Sequence, residues 1–378
     1  MSKKNDERKS IVVVGGGPAG SLLARALSAK LDASKHDLIL INDRPFSIHL
    51  VAGARMTVTE VDHLEDAALL PYDKLFHNGN GRFVQGRVTA IEEEAAGQGG
   101  VVVLQDGERL SYDVLVLATG SSWYGPLNFP SSDADVRAHV KTWRQHYADA
   151  KDIVIVGGGA VGIETAGEIR DTYPTKKITI VQGSDLLLNP VYPPKFRKDL
   201  EKRVRAKNID IVFDEYIDSI PEPGTIGVTT RSGKSFATAD LVVPAHGPRP
   251  NTAFIATLGS DVLDSAGRVK IEPTFQVVGH PGVFAFGDIT DWKEQKQQGK
   301  IMFHLPVAVP NILSYLAGEP LKKKYKGFWE MIIIPIGKNG GGGYFDVLWG
   351  IVVGNWVTRV AKAKDLFIPK VRAEFGLQ

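Results

Sequence analysis

Two glycine triplets carry the most readable chemistry in this chain. Gly15, Gly17 and Gly20 stand in Gly15-Gly-Gly17-Pro-Ala-Gly20, and Gly157, Gly159 and Gly162 stand in Gly157-Gly-Gly159-Ala-Val-Gly162. In such a spacing the first glycine allows a tight turn, the second lets a pyrophosphate approach the backbone, and the third lets a helix pack closely on a strand. The free N–H groups and positive end of the following helix then face the phosphates. One triplet alone is a weak signal. Two, each set between an apolar run and a helical pattern, point to two dinucleotide sites.

The elements that must hold these turns are legible on either side of them. Ile11 to Val14 reads as a strand, a helical pattern runs to about Lys30, and Leu38 to Ile41 reads as a second strand. The same order recurs with Ile153 to Val156, a helix through about Thr172 stopped near Pro174, and Ile178 to Val181. The architecture is therefore duplicated. Two further apolar strands end in small-residue turns, at Thr119-Gly120 and at Ala245-His246-Gly247, and each would close one nucleotide fold. Val283-Phe-Ala-Phe-Gly287 delivers Asp288 at a strand's carboxyl end, where α/β sheets bind ligands. That aspartate either accepts from a sugar-like hydroxyl or caps a local turn.

Composition narrows the chemistry. Among 378 residues there are 40 glycines and no cysteine. Disulfide reductases, cysteine-dependent sulfide oxidases, zinc ribbons and iron–sulfur proteins are excluded, since each needs cysteine sulfur, and no metal site is expected. The net charge is only +2, but from Lys322 onward ten Lys/Arg face four acids, and half of the six tryptophans (Trp329, Trp349, Trp356) lie there. A basic, tryptophan-rich end suits an anionic membrane surface, or else is a solvated face beside a small core. No apolar run is long enough to span a bilayer. The opening residues predict no signal or transit peptide, and Ser2 predicts no N-myristoylation.

Taken in order, the two triplets, Ala118-Thr119-Gly120 and Gly287-Asp288 resemble the two-dinucleotide flavoprotein reductases, which bind FAD at the first fold and NAD(P)H at the second. A finer resemblance is to apoptosis-inducing-factor-like quinone reductases of the ferroptosis-suppressor type. It is carried by Ala52-Gly-Ala-Arg55-Met-Thr-Val58, Phe83-Val-Gln-Gly-Arg-Val88, Gly162-Ile-Glu164-Thr-Ala-Gly-Glu168, the spacing of Lys296 and His304 after Asp288, and Lys362-Ala-Lys364-Asp365-Leu366-Phe367. The last motif is the most specific.

The resemblance implies roles. Gly15, Gly17 and Gly20 would cradle the FAD pyrophosphate, Val88 would offer backbone to the adenine, and Asp288 would reach the ribitol or pyrophosphate. Arg55 would carry positive charge towards the cofactor, unless it forms a surface salt bridge. The acid expected about 20 residues beyond the first triplet is displaced: Asn42 holds that place and Asp43 follows, and either side chain could accept from a ribose hydroxyl. In the second fold the equivalent residue is Gln182, which neither binds a 2′-hydroxyl as a carboxylate would nor attracts a 2′-phosphate, so NADH and NADPH should both be accepted. Glu164, on the first turn of its helix, would hold the nicotinamide end, and Glu168 would tether the helix. Val353, Trp356, Val357 and Val360 predict a helix that buries one face and delivers Lys362 towards the flavin, where its cation stabilises negative charge. His304 would be a quinone contact or a packing histidine, and Pro306 and Pro310 should restrict or kink any helix there.

The expected fold class is α/β: two Rossmann-like dinucleotide-binding domains in the pyridine-nucleotide reductase architecture, plus a small C-terminal α+β domain. Residues 1–122 and 253–325 would form the FAD domain, 123–252 the NAD(P)H domain, and 326–378 the C-terminal domain on the membrane and quinone side. The function implied is transfer of hydride from NAD(P)H to FAD and of two electrons onward to a quinone, by a cytoplasmic protein peripheral to a membrane. Alternatives are reduction of a ferredoxin- or rubredoxin-type protein, or an apoptosis-inducing-factor-like death effector that binds DNA. Nucleic acid is not the expected partner, and a homodimer is left open.

Overall fold

Ile11, Val12 and Val13 are fully buried, as are Ile153, Val154 and Ile155. Short runs of β-branched residues buried on both faces are what a parallel sheet covered by helices requires. The computed structural model, which describes residues 8–93 and 95–377, places both runs at the centre of such sheets. Residues 1–7, on which the expectations about a leader and about Ser2 fall, lie outside those described.

The first sheet has six strands in the order Gln276–Val277, His280–Ala285, Val114–Leu117, Lys9–Val14, His36–Asn42 and Arg82–Gln85. All neighbours are parallel except the first pair. The second has four parallel strands in the order Asp210–Val212, Lys177–Val181, Asp152–Val156 and Leu241–Pro244. In both, the strand leading into the glycine turn lies between its βαβ partner and the strand that closes the fold. The duplication seen in the glycine spacing is thus one of topology. Chain passes between the two folds along a short antiparallel ribbon that pairs Ser121–Ser122 with Arg249–Pro250.

The helices after the two turns, Pro18–Ser28 and Ala160–Thr172, match the predicted spans to within two residues. Helix Ile301–Leu316 runs on through both Pro306 and Pro310, although each ring removes one N–H from its ladder.

The C-terminal unit is an antiparallel sheet of Met331–Pro335, Gly341–Phe345 and Ile351–Val353. It packs on the Ala160–Thr172 helix so closely at Gly167 that a Cβ there would stand 2.4 Å from the Gly337 nitrogen. Its second hairpin turns through Leu348 (φ 47°) and Trp349 (φ 67°), both left-handed. Beyond it the structure corrects the sequence reading. The α-helix spans only Asn355–Thr358 and continues as a π-helical turn, Arg359–Ala363. Trp356 is 75% exposed and Val360 61% exposed, so the apolar stripe faces solvent. Thr358 and Ala363 are the buried residues instead. Among the described residues no helix is long and apolar enough to cross a membrane.

Left-handed Leu366 and Phe367 end the π turn, and here the C-terminal unit is fastened to the first fold. His49, 1% exposed, donates through Nε2 to the Leu366 carbonyl at 2.7 Å. Burial pushes its imidazole below the ordinary value, opposed by that hydrogen bond and helped by the Lys362 cation. An unfolded histidine titrates near 6.5, so the unfolded chain takes up the proton first as pH falls. The stability from His49 is therefore complete above about pH 6.5 and is lost as pH drops towards the depressed folded value. Melting temperatures at pH 7.5 and 5.5 should fall further apart in the wild type than in His49→Gln. An equal fall in both would show that His49 contributes no such linkage.

Candidate functional site

The two glycine turns are built alike to within a few tenths of an ångström. Gly15 has φ +104° and Gly157 φ +120°, and a Cβ would stand 2.4 Å from the Ala118 carbonyl oxygen and 2.7 Å from that of Ala245, respectively. Only glycine fits either position. At the third glycine, a Cβ on Gly20 would lie 1.9 Å from the Gly15 oxygen, and one on Gly162 2.0 Å from the Gly157 oxygen. Gly17 and Gly159, in contrast, have nothing within 4 Å of that position. Each turn therefore opens at its middle glycine, at a helix N-terminus, which is the shape and polarity a pyrophosphate requires.

The residues after the second strands hold these turns rather than standing free. Asn42 Oδ1 accepts from the Gly16 N–H at 2.9 Å, and Gln182 Oε1 accepts from Gly158 at 2.8 Å. The Gln182 amide also donates to Ser184 Oγ and the Leu186 carbonyl. Of the two ribose candidates, it is Asp43 that lines an open cleft of about 570 Å³, together with Gln85, Gly86, Arg87, Gln105 and Ser131. Val88 does not line it. Its side chain is buried, and it pairs with Leu104. Tyr72, which had no signal in the sequence, donates to the Gly16 carbonyl at 2.8 Å.

At the crossing between folds, Thr119 Oγ1 donates to the Asn251 carbonyl at 2.6 Å, and the Gly120 carbonyl accepts from Asn251 N–H at 2.9 Å. Gly247 lies exposed at the end of the strand that closes the second fold. Asp288 accepts from Ser121 Oγ at 2.9 Å. Burial pushes its carboxyl above the usual range, opposed by Ser121 and by the charges of Lys296 and His304.

Arg55 requires a correction. It is 3% exposed, and its Nε and Nη2 each donate to Glu168 at 2.9 Å, while Nη2 also reaches the Ala363 carbonyl at 2.7 Å. Its guanidinium is spent on protein groups inside the molecule, not in a surface salt bridge. Glu168 is accordingly the tether expected of it.

Glu164 and Lys362 are 198 residues apart in sequence and meet at 2.8 Å. Glu164 is the fifth residue of its helix, past the first turn, so its partner is this ammonium and not the helix N-terminus. Lys362 also donates to the Ile333 carbonyl at 3.2 Å. The π turn supplies this aim; such turns recur at functional sites. With side-chain exposures of 13% and 14%, the pair is sheltered but not sealed from the surface. His304 is packed among Phe275, Phe286 and Tyr325, with Nε2 2.7 Å from Glu294 Oε1. Among the described residues no group of side chains could hold a metal ion.

The chain and its fold have known relatives. The chain is 50% identical over 321 residues to the FAD-dependent oxidoreductase FVFD30 of Flammulina velutipes, covering 85% of this chain and 99% of that one. It is 29% identical over 368 residues to ferroptosis suppressor protein 1 of Taeniopygia guttata, covering 95% and 94%. The sulfide:quinone oxidoreductase of the hyperthermophilic bacterium Aquifex aeolicus shares the fold at a TM-score of 0.78 and 19% identity, covering 97% of this chain and 92% of that one. Residues 9–309 match the pyridine nucleotide-disulphide oxidoreductase family, and the chain belongs to it.

Proposed function

We propose that this chain is an FAD-dependent NAD(P)H:quinone oxidoreductase, allied to the apoptosis-inducing-factor-like and ferroptosis-suppressor proteins and working at a membrane surface. The observation that carries this reading is the Glu164–Lys362 pair, which joins the helix of the second cradle to the C-terminal unit at a sheltered site. When bound, FAD would supply the chemistry of accepting a hydride from a nicotinamide and of passing two electrons to an acceptor. The first cradle, with Asp43 and Asp288, holds the FAD. The second, with its turn braced by Gln182, holds NADH or NADPH. Glu164 orients the nicotinamide end, and Lys362 supplies a fixed cation where negative charge develops. With no cysteine in the chain, no thiol relay of the kind in the family's name can operate, so electrons leave for the acceptor directly.

A quinone acceptor and a membrane surface fit the outer face of the C-terminal unit. Leu348, Trp349, Trp356 and Val360 are 76%, 101%, 75% and 61% exposed. Exposed Lys322, Lys323, Lys324, Lys326, Arg359 and Lys364 belong to the same part of the chain. Exposed aromatic and aliphatic side chains accompanied by cations match an anionic lipid surface, where each nearby Lys or Arg contributes about 1 kcal/mol.

Two measurements test the reading. Glu164→Gln and Lys362→Met should each slow NADH oxidation with a short-chain quinone by about 10²-fold while the protein stays yellow, and the double variant should be little worse than either single one. Unchanged rates, or faster turnover with a ferredoxin than with any quinone, would count against it. In co-sedimentation, the protein should bind vesicles containing phosphatidylserine, more weakly at high salt, and the Trp349→Ser/Trp356→Ser variant should remain largely in the supernatant. Equal binding of wild type and variant would remove the membrane from the reading.

A further inference from the structure

A second ionisable cluster lies beyond Asp288, and neither the two cradles nor the Glu164–Lys362 pair uses it. Lys300 is 1% exposed, with Nζ 2.5 Å from Glu330 Oε1 and 3.9 Å from Glu294 Oε2. Glu294 accepts from Tyr325 Oη at 2.8 Å through Oε2, and its Oε1 lies 2.7 Å from His304 Nε2. His304 Nδ1 and Glu330 Oε2 are buried with no hydrogen-bond partner. Lys296 stands beside the cluster, donating to Thr290 Oγ1 and the Trp292 carbonyl. Burial alone would raise the Glu294 carboxyl, but His304, Tyr325 and Lys300 together hold it below the usual range, whereas burial keeps the Lys296 ammonium below its own.

A scaffold does not need such a cluster. Replacing a buried ion network by apolar side chains of like volume is often neutral or stabilising, and here the surroundings are already aromatic: Phe275, Tyr325 and Phe286 lie with ring centroids 5.1, 4.7 and 6.4 Å from the His304 ring. What these groups add is a row of exchangeable protons, hydrogen-bonded from Lys300 to Glu330 and between Glu294 and His304, with an ion-pair gap of 3.9 Å between Lys300 and Glu294. Its outer end is Glu330, whose side chain is 17% exposed, the most open of the four relay side chains. Its inner end is His304, packed on Phe286, two residues before Asp288. An imidazole that takes a proton on one nitrogen and releases it from the other is a natural shuttle at neutral pH.

We propose that Glu330, Lys300, Glu294 and His304 form a proton relay from solvent to the Asp288 side of the cofactor site, an inference that rests on the quinone reading above. The reaction NAD(P)H + H⁺ + quinone → NAD(P)⁺ + quinol balances with one proton more than the hydride brings. Two electrons and one proton come from the nicotinamide. The second proton enters at Glu330, passes Lys300 and Glu294, and leaves from His304, and the next proton from outside refills the row.

The test uses the FAD-loaded protein. Ferricyanide takes electrons without protons, whereas a quinone needs both. Glu294→Gln and His304→Gln should therefore slow quinone turnover about tenfold or more, leave ferricyanide turnover within about twofold, and raise the solvent deuterium isotope effect on the quinone reaction. Independently of turnover, dithionite reduction of the bound flavin in weakly buffered indicator dye should show proton uptake in step with reduction in the wild type and lagging in the variants. Where either variant fails to fold, Glu330→Gln at the partly exposed end replaces it. Equal losses with both acceptors, or proton uptake as prompt in the variants as in the wild type, would overturn the relay. If the wild type reduces ferricyanide but no quinone, the quinone reading fails instead, and the timing of proton uptake still decides the relay.

Discussion

One guanidinium holds this molecule's three parts in register. Arg55 belongs to the helix Gly53–Val58, in the segment between strands of the first fold; Glu168 belongs to the helix of the second cradle; and Ala363 ends the π turn of the C-terminal unit. Arg55 bonds to both of the others while almost wholly buried. Burial pushes the Glu168 carboxyl up, and the paired cation opposes that. Truncating either partner strands a charge in the interior at a cost of about 3–5 kcal/mol. Glu168 lies one turn beyond Glu164, and Ala363 is the neighbour of Lys362. The tie therefore also fixes the distance across which the sheltered pair is made, so the electrostatics of the site depend on an interaction made between protein groups in the interior.

The parts that were legible in the sequence are those governed by local rules. Glycine triplets between apolar runs specify a turn, a helix and a flanking strand within about forty residues, and both copies fold as those rules require. Resemblance to known reductases singles out Glu164 and Lys362 one by one, but not their pairing, since no periodicity links positions 198 apart. Arg55 was misplaced for the same reason. A buried arginine is rare without a partner, but its partner lies 113 residues away. The C-terminal stripe was misread in another way: helical spacing of apolar residues signals burial only where a second surface covers it, and here Trp356 and Val360 have none. The Glu294–Lys300–His304 cluster is legible only in part: Lys300 and His304 stand four residues apart at the start of one helix, but Tyr325 and Glu330 reach it through tertiary packing, which no local pattern signals.

The duplicated cradles show how an expected carboxylate can be replaced without losing the turn. Asn42 and Gln182 each present an amide oxygen to the N–H of the residue after the first glycine. An amide oxygen accepts that hydrogen bond as a carboxylate does, but brings no charge. In the first fold a charged pair, Asp43 and Arg87, stands beside that amide at the edge of the cleft, 3.1 Å apart. In the second fold Gln182 brings no charge to the equivalent position.

The hairpin tip at Leu348 and Trp349 bears on the proposed contact with a lipid surface. Left-handed geometry disfavours any side chain, by roughly 1–2 kcal/mol per residue, and it is stranger still at two large apolar residues in succession. A limp loop carrying the same residues would have to lose its freedom on entering a lipid layer, at about 1–2 kcal/mol per residue. A tip already locked by the hairpin on either side gives up little of that freedom. Its affinity would therefore depend on how much apolar surface enters the layer and hardly at all on ordering, so contact with a membrane could be brief and frequent without being weak by design.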